Sequence, residues 1–284
     1  MKFNQKINDY ALWTALITPM FENGSVDYNS LKTLLKEQDE AGNGILILGS
    51  TGESLNLDIH EQKRILDFTL SLGLNSPIMC GVGGINLEQT RSWVKYLNTL
   101  EIDCYLMVTP LYAKPGMKGQ LSWFKTLMQE SNKPVCLYNV PSRTGTSLHI
   151  ETVKQLAEHQ KLWGIKEASG SVKDFESYVK AAPKAKVFSG DDSLTPEFSK
   201  VGCSGLISVA ANVWPEATNL FTKKCLDKSL KEINMWQECA DSLFLASNPI
   251  PAKVLINKLG RITTSTLRAP LTHQDLESCA PLME

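Results

Sequence analysis

The run Leu162-Trp163-Gly164-Ile165-Lys166-Glu167 is followed, after a short turn at Ala168–Ser171, by the amphipathic segment Val172–Ala181. The first part is short and apolar, as a strand buried on both faces must be. The same alternation recurs along the chain. Strands are predicted at Leu12–Ile17, Gly44–Leu48, Ile78–Gly81, Cys104–Val108, Val135–Tyr138, Leu162–Lys166, Val187–Ser189 and Gly205–Val209. Helices are predicted near Tyr28–Ala41, Ile59–Leu72, Leu87–Leu100, Lys118–Glu130, Ile150–His159, Val172–Ala181, Leu194–Val201 and Pro215–Lys224. Parallel strands joined by helices give either an open doubly wound sheet or a closed barrel. Eight units without a long interruption favour a (β/α)8 TIM barrel, and 284 residues suit one such barrel of about 250 residues plus a small extension.

The alternation stops after Cys225. Leu226–Leu245 and Pro251–Leu259 read as helices, with a last one near His273–Cys279. The expected organisation is a barrel over residues 1–225 and a C-terminal helical extension over 226–284. No low-complexity linker separates them, so the extension is expected to pack on the barrel or on a neighbouring subunit.

A formal net charge of −1 argues against nucleic-acid or membrane-surface partners, which select for a clustered basic excess. Met1–Tyr10 is polar, without the apolar segment of a signal peptide, and no apolar run is long enough to span a bilayer. Seven cysteines lack any CxxC pair, and several lie inside apolar runs, which reads as buried thiols in a reducing cytoplasm. His60, His149, His159 and His273 show no metal-ligand spacing, so no metal is expected.

Active sites of this architecture are built at the carboxyl ends of the strands. The second strand runs into Gly49-Ser50-Thr51-Gly52-Glu53, where two hydroxyls and adjacent N–H groups suit a small carboxylate, although an ordinary glycine-rich turn reads the same way. The fourth ends in Thr109-Pro110-Leu111-Tyr112, and the fifth in Tyr138-Asn139-Val140-Pro141-Ser142-Arg143-Thr144-Gly145. Two tyrosines near a hydroxyl can move protons, and the Arg143 fork suits a second carboxylate; packing and a surface ion pair are the commoner fates of such residues. Lys166 directly follows an apolar strand, where desolvation would suit an amine nucleophile toward a ketone. In Ser189-Gly190-Asp191-Asp192, Gly190 permits close approach to the backbone, while Asp191 and Asp192 read as caps for a helix starting near Ser193.

Taken together, Gly49–Ser54, Thr109–Tyr112, Leu137–Gly145, Ile165–Ala168, Ser189–Asp192 and Gly205–Val213 resemble the dihydrodipicolinate synthase (4-hydroxy-tetrahydrodipicolinate synthase) family. The likeness continues through Asn248–Pro251 and Leu267–Leu271, and so covers essentially the whole chain. It implies a lyase of lysine and diaminopimelate synthesis that condenses pyruvate with aspartate-4-semialdehyde. By the same resemblance Lys166 forms the imine with pyruvate, and the Ser50–Thr51 turn holds its carboxylate. Ser50, Tyr138 and Tyr112 form the proton relay, with Tyr112 reaching into a neighbouring subunit. Arg143 takes the semialdehyde carboxylate, and Gly190 and Ile207 line the pocket through their backbones. The family implies no cofactor, a cytoplasmic location and a homotetramer built as a dimer of tight dimers.

Two features depart from the family pattern. The relay hydroxyl is more often threonine than serine, and Ser50 lacks the methyl that restrains its rotamer. Positions that hold lysine in feedback-inhibited members correspond to Leu55, Ile59, Gln62, Ile85, Gln89 and Leu111, so weak or absent lysine inhibition is expected. The alternative within the superfamily is an N-acetylneuraminate lyase or other keto-acid aldolase; Arg143 favours the short carboxylate-ended substrate. A non-catalytic barrel would not need Lys166, Tyr138 and the hydroxyl pair.

Overall fold

The computed structural model describes residues 5–231 and 234–278. Eight strands follow one another in chain order around a closed barrel: β1 (Leu12–Ala15), β2 (Gly44–Ile47), β3 (Ile78–Val82), β4 (Cys104–Val108), β5 (Val135–Asn139), β6 (Leu162–Glu167), β7 (Lys186–Ser189) and β8 (Gly205–Ser208). The TIM-barrel expectation holds, and each strand lies within two residues of its predicted ends. Strand pairing is parallel, as in Tyr138 opposite Lys166 and Glu167 opposite Ser189. Parallel pairing needs a crossover, and helices with local start signals supply it. The helix Ile59–Ser71 opens on a capping box between Asp58 and Glu61, and Val172–Ala181 opens on the Ser171 hydroxyl, which accepts from Asp174 N–H.

The chain forms two compact units. One joins Ile78–Ile207 to the N-terminal segment ending at Asp9. Its interior is aromatic, with Tyr105, Phe124, Phe175, Phe188 and Phe198 fully buried, and Cys80, Cys104 and Cys136 are buried thiols on β3, β4 and β5. Asn8 ties the N-terminal segment in: its side-chain oxygen accepts from Trp163 Nε1 at 2.9 Å and its carbonyl from Lys186 Nζ at 2.6 Å.

The other unit joins Tyr10–Pro77 to the chain from Ser208 onward. Gln38 is its buried polar hub: Oε1 accepts from Thr14 Oγ1 (2.6 Å) and Asn43 Nδ2 (2.9 Å), while Nε2 donates to the Ala211 carbonyl (2.9 Å). Arg261 bonds Glu37 and the Val213 carbonyl, so the C-terminal segment packs on the first β/α units.

The end of the chain departs from expectation. In place of one helix over Leu226–Leu245, the helix Pro215–Leu226 stops and the next is Asn234–Ser242. Lys228 takes φ 60°, a left-handed conformation no helix can continue through, and Asp227 accepts from Ser229 N–H in an Asx turn. The helix expected over Pro251–Leu259 is present as Ile250–Lys258, one residue earlier at each end. The segment near His273–Cys279 is a single 3-10 turn, His273–Asp275, and Cys279 lies outside the described residues. Among the described residues no helix is long and apolar enough to cross a membrane.

Candidate active site

Lys166 and Tyr138 are neighbours because β5 and β6 pair in parallel with these two residues in register. Register partners point to the same face, and Lys166 Nζ lies 4.7 Å from the centroid of the Tyr138 ring. Lys166 is 4% exposed and Tyr138 is likewise buried.

The next residue on each strand points the other way and locks the pair. Asn139 Nδ2 donates to the buried Glu167 carboxylate at 2.6 Å, and Ser169 N–H donates to its second oxygen at 2.8 Å. Burial pushes the Glu167 carboxyl above its usual range, against the lowering effect of those hydrogen bonds. The remaining Asn139 oxygen accepts from Leu148 N–H at 2.8 Å. A slip of β5 against β6 would break this pairing, so the outer face holds Tyr138 beside Lys166. Thr109, just beyond β4, donates through both N–H and Oγ1 to the Tyr138 carbonyl.

Gly190 follows β7. A Cβ there would stand 2.9 Å from Lys166 Cε, 2.9 Å from the Glu167 carbonyl oxygen and 2.5 Å from Ala168 Cβ, so only glycine leaves the lysine its place. Asp191 does not act as a cap. The helix Thr195–Ser199 begins after Leu194 without a side-chain cap bond, and it is the Asp191 carbonyl that accepts from Thr195 Oγ1. The Asp191 carboxyl is pushed up to about 6, chiefly by burial and further by Asp192, while Lys166 acts in the opposite sense. Its Oδ2 is buried with no hydrogen-bond partner among the described residues. Ile207, on β8, is fully buried.

Arg143 lies exposed on the single helical turn Pro141–Thr144, which Gly145 ends at φ 71°. Tyr112 sits in the loop after β4 at φ 62° and is 88% exposed. The structure therefore brings Lys166, Tyr138 and Gly190 together and leaves the Tyr112 ring in the open.

In the second unit, the turn after β2 carries the hydroxyl pair. Leu48 and Glu53 flank it at φ 55° and 52°, left-handed positions that cost free energy unless surrounding contacts hold them. Thr18 Oγ1 donates to the Gly52 carbonyl at 2.7 Å, and a Cβ on Gly52 would stand 3.1 Å from the Leu16 carbonyl oxygen. Ser50 is exposed, whereas Thr51 is 2% exposed and its Oγ1 accepts from Asn248 Nδ2 at 2.9 Å. Glu53 is buried against Lys253, with Nζ 2.5 Å from Oε1, and Arg268 N–H reaches Oε2 at 3.1 Å. Burial lowers the Lys253 ammonium from its ordinary range, and Glu53 opposes that shift.

The supports Asn139, Glu167, Asn248 and Lys253 were not singled out in the sequence. A polar residue directly after each of Tyr138 and Lys166 was the available signal for the first two. Asn248 lay inside a matching stretch with no role assigned to it, and nothing local marked Lys253. Among the described residues no group of three His, Cys, Asp or Glu side chains is placed to hold a metal ion.

A (β/α)8 barrel with a buried lysine on β6 packed against a tyrosine on β5 fits the class of Schiff-base barrel lyases. The comparisons narrow it. The profile of the dihydrodipicolinate synthetase family matches residues 10–283, and the chain belongs to that family. It is 46% identical over 274 residues to a 4-hydroxy-tetrahydrodipicolinate synthase of Wolbachia pipientis wMel, covering 96% of this chain and 94% of that protein. The crystal structure of dihydrodipicolinate synthase from Aquifex aeolicus superposes with a TM-score of 0.90 at 31% identity, over 96% of this chain and 95% of the other. The chloride-inhibited Acinetobacter baumannii enzyme, complexed with pyruvate, superposes with a TM-score of 0.90 at 32% identity, over 96% of each chain.

Proposed function

We propose that the chain condenses pyruvate with L-aspartate-4-semialdehyde, as a 4-hydroxy-tetrahydrodipicolinate synthase in lysine and diaminopimelate biosynthesis. The observation that carries this reading is Lys166 Nζ held beside the Tyr138 ring on adjacent strands. The relatives' name and the pyruvate held by the Acinetobacter baumannii enzyme support it.

In this reading the Lys166 amine adds to the pyruvate C2 carbonyl and water leaves, giving an imine. The protonated imine draws electrons from the adjacent methyl group, which loses a proton to give an enamine. The enamine carbon then attacks the semialdehyde aldehyde, whose oxygen takes up a proton. The semialdehyde's own amine adds to the restored imine carbon and expels the Lys166 amine, closing the product ring. Tyr138 and Ser50 carry these protons, with Tyr112 completing the relay. The Ser50–Thr51 turn takes the pyruvate carboxylate, Arg143 takes that of the semialdehyde, and the backbones of Gly190 and Ile207 line the pocket. The exposure of Tyr112 supports its donation to a second subunit, in a homotetramer built as a dimer of tight dimers. A cytoplasmic location belongs to the same reading, supported by the buried thiols Cys80, Cys104 and Cys136.

Borohydride trapping with pyruvate, followed by peptide mass spectrometry, tests the reading on wild type and Lys166→Ala. The expected result is one adduct, on Lys166, together with turnover of the semialdehyde. No adduct on the wild type would overturn the mechanism, and an adduct without semialdehyde turnover would move the chain to a sugar-acid aldolase.

A further inference from the structure

We propose that Asn248 is a positioning residue that fixes the polarity of the Thr51 hydroxyl, making it a proton donor to the substrate carboxylate. The inference rests on the reading above, in which the Ser50–Thr51 turn receives that carboxylate.

A threonine hydroxyl has one proton to give and two lone pairs to accept with. Asn248 Nδ2 donates to Thr51 Oγ1 at 2.9 Å, and both residues are buried. With a lone pair engaged by an amide donor, the hydroxyl keeps its own proton for another acceptor. A carboxylate is such an acceptor, and hydrogen bonds to a charged group are about twice as strong as neutral ones. A hydroxyl free to rotate would have to be ordered at the moment of binding. Asn248 orders it beforehand.

The same segment holds the turn at a second point. Asn248 precedes the helix Ile250–Lys258, and Lys253 on that helix places its Nζ against Glu53, two residues beyond Thr51. Lys253 Nζ also donates to the Thr266 carbonyl at 2.8 Å. An ion pair this buried contributes little net stability, because desolvating both charges offsets their attraction; what it supplies is a fixed position. Glu53 at φ 52° needs such a fixture. Thr51 and Glu53 are thus both aligned by one stretch of the C-terminal segment. The ion pair sets the backbone of the turn, and Asn248 sets the direction of its buried hydroxyl.

The test compares borohydride trapping of the full-length enzyme by pyruvate and by methyl pyruvate, which keeps the ketone but has no carboxylate charge. The variants are Asn248→Asp, which would draw the Thr51 proton to itself, the uncharged near-isostere Asn248→Leu, Thr51→Val, and Thr51→Val combined with each Asn248 change. In the otherwise wild-type enzyme both Asn248 changes should raise the half-saturating pyruvate concentration, Asn248→Asp by about 10- to 100-fold. Trapping by methyl pyruvate should change much less. In the Thr51→Val background neither change should add to the loss. An equal effect of Asn248→Asp in both backgrounds would show that charge repulsion, not the hydroxyl, is responsible, and would overturn the proposal. Equal losses with pyruvate and its ester would overturn it too, by assigning Asn248 a structural role. Should Asn248→Asp not fold, Asn248→Leu decides on the same criteria. If Thr51→Val alone leaves pyruvate saturation unchanged, the reading of the turn as a carboxylate site fails instead, and this inference with it.

Discussion

Tyr138 and Lys166 are register partners on adjacent parallel strands, with Lys166 Nζ 4.7 Å from the Tyr138 ring centroid. The ring packs against the lysine, and the hydroxyl at its far end carries the proton chemistry in the proposed mechanism. Tyr138→Phe separates these roles, since it keeps the ring and removes only the oxygen. Turnover is expected to fall by about 10²- to 10⁴-fold while pyruvate can still be trapped on Lys166. Steady-state kinetics beside borohydride trapping checks this, and an unchanged kcat would remove Tyr138 from the relay.

Gly190 is where the Lys166 side chain passes the end of β7. The Cβ of Gly190→Ala would press on Lys166 Cε at 2.9 Å and on Ala168 Cβ at 2.5 Å. Overpacking of this kind typically costs about 1–3 kcal/mol. The expected result is a lower denaturation midpoint together with a fall in the rate of imine formation. A stable variant that traps pyruvate at the wild-type rate would show that the lysine has room to yield.

The Asp191 carboxyl, held up to about 6 mainly by burial, makes stability depend on pH. An unfolded aspartate titrates near about 3.9, so below that pH both states are protonated and the group contributes nothing. Between that value and about 6 the native state binds more protons, so stability falls as pH rises. Above that window the full penalty, on the order of 3 kcal/mol as an upper bound, is present. Asp191→Asn should therefore stabilise the protein, with a benefit that grows from about pH 4 to about pH 6 and then levels off. Urea melts at several pH values read this directly, and a benefit independent of pH would count against the assignment.

The barrel was legible because its signals are local. Each strand is a short apolar run and each helix an amphipathic one, and strand ends are where such a fold keeps its chemistry. Lys166, Tyr138 and Gly190 could be read for that reason. What escaped depends on contacts distant in sequence, or on which single residue adopts a rare conformation. Asn248 meets Thr51 across 197 residues, and Lys253 meets Glu53 across 200, with no periodicity to announce either. The helix break at Lys228 uses a left-handed non-glycine residue, so no glycine marked it. Asp191 looked like a cap because it lies near a helix start, yet that helix begins only at Thr195.

Lys253→Met would leave the Glu53 carboxylate buried opposite a thioether. Removing one partner of a buried ion pair typically costs about 3–5 kcal/mol, since the other charge stays desolvated. Pairing it with Glu53→Gln, which has no charge to strand and still accepts from Arg268 N–H, should recover a large part of the loss. Chemical denaturation of the single and double variants checks this. A double variant no more stable than Lys253→Met would mean that position, not charge, dominates the energetics.

Feedback by lysine needs groups that hold two ammonium ions and a carboxylate. The positions that the family resemblance assigns to such a site carry Leu55, Ile59, Gln62, Ile85, Gln89 and Leu111, none of them charged. Leu55, Ile59 and Ile85 are exposed, so apolar surface stands where charged partners would be required. Neutral glutamines can accept or donate a hydrogen bond but cannot offset the cost of desolvating an ammonium ion. Activity is therefore expected to persist at low millimolar lysine, measured with both substrates near their KM values. Half-inhibition at or below that level would show that the ligand finds its charges elsewhere on the surface, and Gln62→Ala and Gln89→Ala would then separate a displaced site from this one.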